Sequence, residues 1–176
     1  MIIQQDGSVN RRGERSMTVH FVKLSEQRHR VEVHRADGTH DTADLDTRSF
    51  LRHDLAHYAV EATLGLQGGV WGSIAAGGSF DGNDLDGADM TLAETLAGPV
   101  QTLMRIEAPP DEVYDTIMRV APETASREVA DHLHAWMRAL TGRWRSTGYG
   151  DALELEWPPF ASDNGRSLSR FPGKGV

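Results

Sequence analysis

The fold is decided by residues 18–34, which read TVHFVKLSEQRHRVEVH. Apolar and polar side chains alternate through residues 18–24 and again around Val31 and Val33, as they do in half-buried β-strands. The link between the two runs, residues 25–29, is short and polar. These residues therefore predict an N-terminal antiparallel β-hairpin with one face against a core.

Two further runs extend the predicted sheet. The turn signal Asp37-Gly38 precedes residues 39–45, which we interpret as a third short strand. Much later, LELEW at residues 153–157 alternates again and is stopped by the Pro158-Pro159 pair. We expect this last strand to join the same small antiparallel sheet.

A helix is predicted directly after the hairpin. Asp46 or Thr47 is a suitable N-cap, and Gly65 ends the helix after about Leu64. Its apolar side chains are spaced as a single stripe that we expect to face the core. The stripe consists of Phe50, Leu51, Leu55, Ala59, Ala62 and Leu66.

The rest of the middle section is predicted to be helical as well. Residues 70–76 are apolar and form a short helix, and TLAE at residues 91–94 is a capping-box pattern that opens a helix towards Glu107. Pro99 kinks that helix or splits it into two. Two more helices are predicted, at residues 111–120 and 122–140.

The order of elements defines the fold class. Strands come first, helices next and one strand last, which is typical of α+β proteins. The prediction is a small antiparallel sheet, made of the N-terminal hairpin and a C-terminal strand, packed against several α-helices. The 176 residues, 39% of them hydrophobic, suit a single domain, which we place at residues 17–160. Residues 1–16 are predicted to be a disordered or non-native arm, and residues 161–176 a flexible tail.

Composition excludes several classes of function. The 26 acidic and 18 basic side chains give a net charge of -8, which argues against a nucleic-acid partner. The absence of cysteine excludes disulfides, Cys-based zinc sites, iron–sulfur clusters and a Cys nucleophile. No apolar run is long enough for a membrane span or a signal core, so we expect a cytoplasmic protein without membrane contact.

The first predicted helix carries the motif HDLAHYAVE at residues 53–61. Residues four apart lie on one helix face, so His53 and His57 can direct both imidazoles at one point, as zinc-binding HExxH helices do. We therefore predict that they bind a divalent metal, Zn²⁺ or a similar ion. Asp54 stands in place of the usual glutamate. Because it is one methylene shorter, it reaches a metal-bound water less easily, and orienting a ligand is its alternative role.

Glu61 extends the same face by one more turn. It lies about 12 Å from His53 along the helix axis, so His53, His57 and Glu61 cannot all bind one undistorted ion. We expect Glu61 either to orient His57 or to bind a second metal, and we assign proton transfer to Asp54 and Glu61. A further ligand must come from elsewhere in the chain. The late helix offers Glu128, Asp131, His132 and His134.

The motif has partial relatives. RSFLRHDLAHYAVE at residues 48–61, with GLQGGVWG at 65–72, resembles a signature of small uncharacterised bacterial proteins with the pattern FLxHDLxHxAVE. Its HDxxH core is similar to the zinc motif of the Coq4-type family of ubiquinone biosynthesis. That resemblance implies a glutamate ligand twelve residues after the second histidine, where this chain has Gly69. The zincin proteases are also similar, but their downstream histidine and their glutamate base have no counterpart here.

Three functions remain open. The first is a metal-dependent hydrolase in which His53 and His57 hold the ion and the substrate is a small molecule or a peptide. The second is a metal-binding module without catalysis. The third is an interaction module that binds no metal and presents an acidic surface, since residues 36–100 contain eleven acidic side chains and two arginines.

Overall fold

The computed structural model describes residues 16–80 and 86–159. Most of the predicted N-terminal arm, the C-terminal tail and residues 81–85 lie outside the described residues. The predicted α+β class is confirmed. The elements in chain order are β1 (Met17–Lys23), β2 (Arg28–Arg35), β3 (His40–Asp46), α1 (Arg52–Leu64), α2 (Val70–Ala75), α3 (Ala88–Ile106), α4 (Pro110–Val120), α5 (Arg127–Ser146) and β4 (Ala152–Trp157).

The sheet has the strand order β3-β2-β1-β4, and every neighbouring pair is antiparallel. β4 lies along the free side of β1, with Leu153 opposite Phe21 and Leu155 opposite Val19. The prediction that the last strand joins the N-terminal hairpin is therefore confirmed. Because successive side chains of a strand point to opposite faces, these four apolar residues lie on one face, and all four are buried.

An aromatic cluster joins the sheet to the helices. The Tyr58 ring on α1 contacts Trp71 of α2, Trp136 of α5 and Trp157 of β4, with centroids 5.5–6.3 Å apart in edge-to-face geometry. The Tyr58 hydroxyl donates a hydrogen bond to the carbonyl oxygen of Glu156, so its polar end has a partner inside the core. Burial raises the pKa of this hydroxyl.

α1 is a central helix that is covered on all sides, whereas its sequence predicts a single apolar stripe facing the core. Residues 55–61 are all buried, which means that every face of the helix is covered. The predicted stripe is also wrong at its first position, because Phe50 is 47% exposed. Residues Thr47–Leu51 form a wide π-helical turn capped by Asp46, which turns Phe50 outwards and Leu51 inwards.

α3 begins earlier than predicted. Its first residue is Ala88, and the hydroxyl of Thr91 donates to the carbonyl oxygen of Gly87 from inside the first turn. Thr91 is therefore not a helix cap, and the capping-box interpretation is wrong. Pro99 lies within one continuous helix. Glu94 is consequently free to point at a neighbouring element.

α5 begins later than predicted. Pro122 opens a single 3₁₀ turn, Pro122–Thr124, and not the helix itself. The cap is Ser126, whose hydroxyl oxygen accepts the backbone N–H of Val129 at 3.1 Å. Among the described helices, none combines the length and the hydropathy needed to cross a bilayer.

A buried histidine, His29, lies at the edge of the core. The His29 ring is 0% exposed and lies between the rings of Phe21 and Trp144. Its Nδ1 lies 3.2 Å from the Thr47 hydroxyl, while its Nε2 is buried without a hydrogen-bond partner in the described structure. Burial lowers the pKa of His29 to about 4, although the charge of Asp46 opposes the shift.

This pKa predicts a loss of stability in mild acid. In the unfolded chain the pKa of His29 is about 6.5. Between this pH and about 4, the unfolded chain therefore binds a proton that the folded chain does not, which favours unfolding. We expect the His29 contribution to fall by about 2 kcal/mol between pH 7 and pH 4.5 and to level off below about pH 4. Urea unfolding of the wild type and of His29→Phe across this range measures it. Parallel pH profiles for the two proteins would contradict the prediction.

Candidate metal centre

The two predicted ligands lie together on α1. The rings of His53 and His57 have centroids 4.7 Å apart and meet edge to face. His57 is only 2% exposed, whereas His53 is partly exposed. The α-helix over residues 52–64 supplies the four-residue spacing that brings both rings to one side.

A third donor comes from α3. Glu94 Oε1 lies 3.5 Å from His57 Nε2, and one donor atom each of His53, His57 and Glu94 lie within 4.8 Å of one another. The Glu94 side chain is 54% exposed, so the group is closed towards the core and open towards solvent. In the described part of the chain, no such donor group contains the α5 residues considered from the sequence, Glu128, Asp131, His132 and His134.

Sequence reasoning missed Glu94 for an identifiable reason. The TLAE pattern at residues 91–94 predicts a capping box, in which the Glu94 side chain would bond back to the backbone at the start of its own helix. Because α3 begins at Ala88, Glu94 instead lies one and a half turns inside the helix, on the side that packs against α1. Only the relative position of two helices brings Glu94 and His57 together, and no local signal encodes it.

Glu61 lies on the Nδ1 side of His57, and both of its carboxylate oxygens have hydrogen-bond partners. Its side chain is 0% exposed, and its Oε1 lies 3.3 Å from His57 Nδ1. The same oxygen accepts the backbone N–H of Val70, and Oε2 accepts that of Trp71, both at 2.9 Å. The carboxylate thus caps the first turn of α2 and also forms a hydrogen bond with Nδ1 of His57. A proton on Nδ1 leaves the lone pair on Nε2, which faces Glu94.

Gly69 makes this arrangement possible. A methyl group at position 69 would lie 2.5 Å from Glu61 Oε2, closer than side-chain atoms approach one another. The Coq4-type resemblance places a glutamate ligand at this position. In this chain the position is the glycine against which the Glu61 carboxylate packs, so the ligand that the resemblance implies is not supplied there.

The surroundings favour neutral imidazole at His53. Burial and, secondarily, the neighbouring His57 lower the pKa of His53, while Glu94 and a hydrogen bond with Gln101 oppose the shift. A neutral ring keeps the lone pair that a metal ion requires.

Asp54 follows His53 in a mostly buried position. Burial raises the pKa of its carboxyl group to about 7, with His57 acting in the opposite direction. Within the described residues the carboxylate accepts no hydrogen bond, while the Asp54 carbonyl oxygen accepts the Trp71 indole N–H at 3.2 Å. An acid with a pKa near neutrality can accept or release a proton at physiological pH.

The state of His57 Nε2 indicates whether His53, His57 and Glu94 suit a metal ion. His57 Nε2 is buried and makes no hydrogen bond among the described residues, although Glu94 lies within ion-pair distance. A buried polar nitrogen without a partner is costly. The nitrogen lies 3.5 Å from the Glu94 carboxylate, and its ring lies beside a second imidazole. Two imidazoles and a carboxylate are a donor set that suits a divalent transition metal. The residues present therefore fit such an ion.

Comparison of the whole chain with protein-family models, with curated proteins and with solved structures finds no match. The resemblances drawn from the HDxxH motif therefore stay predictions, and the case for a function rests on the geometry of His53, His57, Glu61 and Glu94.

Proposed function

We propose that this protein binds a divalent transition metal, Zn²⁺ or a similar ion, through His53, His57 and Glu94, and that it is a metal-dependent hydrolase. One observation carries the proposal. The buried His57 ring is held at Nδ1 by Glu61, and its unpartnered Nε2 lies 3.5 Å from Glu94. Histidine ligands in metal sites commonly donate their other ring N–H to a carboxylate in this way.

The donor set favours an open centre. Two imidazoles and one carboxylate form a common ligand set of catalytic zinc sites, in which the remaining position is left for water or substrate. When bound, such a metal lowers the pKa of its water towards neutrality and so supplies a nucleophile for hydrolysis. The exposure of Glu94 puts the accessible side of the centre at the protein surface. Substrate would therefore approach beside α3.

Two acidic residues of the motif receive different roles. Asp54 is the candidate proton acceptor, because it adjoins His53 in the chain and burial raises the pKa of its carboxyl group to about 7. Glu61 is a positioning residue, because both of its oxygens already accept backbone N–H groups. This assignment replaces the direct proton-transfer role that the sequence predicts for Glu61.

Zinc titration of the tag-free full chain tests the metal site. At pH 7.5 we expect one tight zinc ion per chain, and His57→Ala should weaken its binding roughly a hundredfold, or about 2.7 kcal/mol. Glu94→Ala should also weaken zinc binding at this site. Because the Glu94 side chain is exposed, its removal should leave the fold intact, so the loss of affinity would reflect the lost ligand. His132→Ala is the matched control, because His132 belongs to neither donor group of the described residues. Equal zinc affinity in wild type and Glu94→Ala would overturn the proposed site.

The same proteins test the catalytic half of the proposal. Zinc-loaded wild type should hydrolyse the probe ester p-nitrophenyl acetate faster than Glu94→Ala, and Asp54→Asn should retain zinc but lose rate. Tight zinc binding without this difference in rate would reject the hydrolase and leave a metal-binding module. A lack of stoichiometric zinc would instead favour the acidic interaction module.

A further inference from the structure

The face of the sheet that points away from the helices carries a second group of metal-type donors. His20 on β1 and Glu32 and His34 on β2 alternate with buried residues, so all three side chains project from this outer face. The strand register places His20 directly opposite Glu32. His34 lies two residues further along β2, on the same face.

The three side chains converge. One donor atom from each of His20, Glu32 and His34 lie within 4.8 Å of one another, and the two imidazole centroids are 5.3 Å apart. Glu32 Oε2 lies 3.9 Å from His34 Nε2. All three are partly or fully exposed, so the group is accessible from solvent. It differs in this respect from the half-buried centre on α1.

Neighbouring charges leave the group free to bind a cation. Arg30 is the nearest basic side chain, at 3.9 Å from Glu32, but it is held more closely by Asp44 at 2.6 Å. On the other side, Glu154 Oε2 lies 3.3 Å from His20 Nε2 and adds negative charge next to the group. The local field therefore favours a positive ion.

The sheet also holds the donors in place. β1 and β2 are the two inner strands of the four, so each is hydrogen-bonded on both sides. Their backbones need no reordering when an ion binds, and only three side-chain rotamers have to be fixed. An inner position in a sheet is thus a rigid platform for a surface site.

We propose that His20, Glu32 and His34 form a second divalent transition-metal site, independent of the centre on α1. Two imidazoles and one carboxylate suit Zn²⁺ or Cu²⁺ and disfavour Mg²⁺ and Ca²⁺, which prefer all-oxygen ligands. The exposure of the group leaves further coordination positions to water or to a ligand from a partner. The ion at this site is therefore exchangeable, whereas the ion at the α1 centre is partly enclosed.

The second site is tested by titrating zinc chloride into the full tag-free chain and following the histidine ring signals by NMR. During titration at pH 7.5 we expect the ring signals of His20 and His34 to shift together, after those of His53 and His57. His34→Ala should weaken this second event roughly tenfold or more while leaving the first unchanged. His40→Ala is the matched control. Its ring stacks 6.1 Å from His34 on the same face but lies outside the donor group.

Two results would overturn the second site: ring signals of His20 and His34 that do not move with zinc, or the same second affinity in His34→Ala as in wild type. Glu94→Ala keeps the two proposals apart. That variant should weaken the first event and leave the second unchanged, so a failure of the α1 centre is distinguishable from a failure of the site on the sheet.

Discussion

Replacing Glu61 with alanine is expected to lower the free energy of unfolding by about 3–5 kcal/mol, the largest effect that we predict for a single side chain. The carboxylate accepts the N–H groups of Val70 and Trp71 in a fully buried position. Each donor left without a partner costs about 1–3 kcal/mol, and His57 Nδ1 loses its acceptor as well. Urea unfolding followed by Trp fluorescence measures the change.

Glu94→Ala is the matched control for this prediction. Glu94 lies on the other side of the same imidazole but is exposed, so its loss should change stability little while removing a proposed metal donor. Glu61→Ala should instead cause a large loss of stability. If Glu61→Ala unfolds at the wild-type urea concentration, its carboxylate does not cap α2 in the way described.

Replacing Gly69 with alanine is expected to destabilise the protein by about 2–4 kcal/mol through a single added methyl group. The backbone of Gly69 has a negative φ of -75°, so alanine meets no conformational penalty there. The effect is steric, because the new methyl group would lie 2.5 Å from Glu61 Oε2 and must displace the carboxylate. Overpacking of this kind costs about 1–3 kcal/mol, and the disturbed hydrogen bonds add to it.

The same variant should also weaken zinc binding at the proposed α1 centre roughly tenfold or more, although Gly69 is not one of the three proposed donors. Losing the residue that orients a ligand commonly has this effect. Gly142→Ala is the control, since nothing lies within 4 Å of the added methyl group. Because Gly142 lies in the interior of α5, alanine should stabilise the protein by up to about 1 kcal/mol. A folded Gly69→Ala protein with wild-type zinc affinity would contradict the positioning role of Glu61.

The parts of the fold that sequence predicts are those with local causes. Alternation over residues 18–24 and 153–157 specifies strands with one apolar face, and Pro158 stops the last of them. Asp46 and Gly65 bound the first helical segment through capping and left-handed geometry, and the structure has both at those positions. None of these signals requires knowledge of distant residues.

The candidate site was only half predictable for the same reason. The helical spacing of four residues gives the convergence of His53 and His57, whereas Glu94 joins them only through the packing of α3 on α1. The burial of Glu61 could not be predicted from the spacing of apolar residues either, because α1 is covered on every face by elements far away in the chain. Tertiary packing therefore places the buried Glu61 at one ring nitrogen of His57 and the exposed Glu94 near the other.

The strand order β3-β2-β1-β4 has a consequence for how the chain reaches its native state. β1 is an inner strand, yet the partner on one of its sides, β4, is the last described element, so that Val22 pairs with Ala152. While the chain is being synthesised, β1 and β2 can pair early, but one edge of β1 stays open until residue 157 has left the ribosome. Closing so long a loop is entropically costly and makes strand pairing slow. An open inner strand also offers a template for association between nascent chains. The last strand thus closes the open side of β1, and we expect association between nascent chains to fall once it has paired.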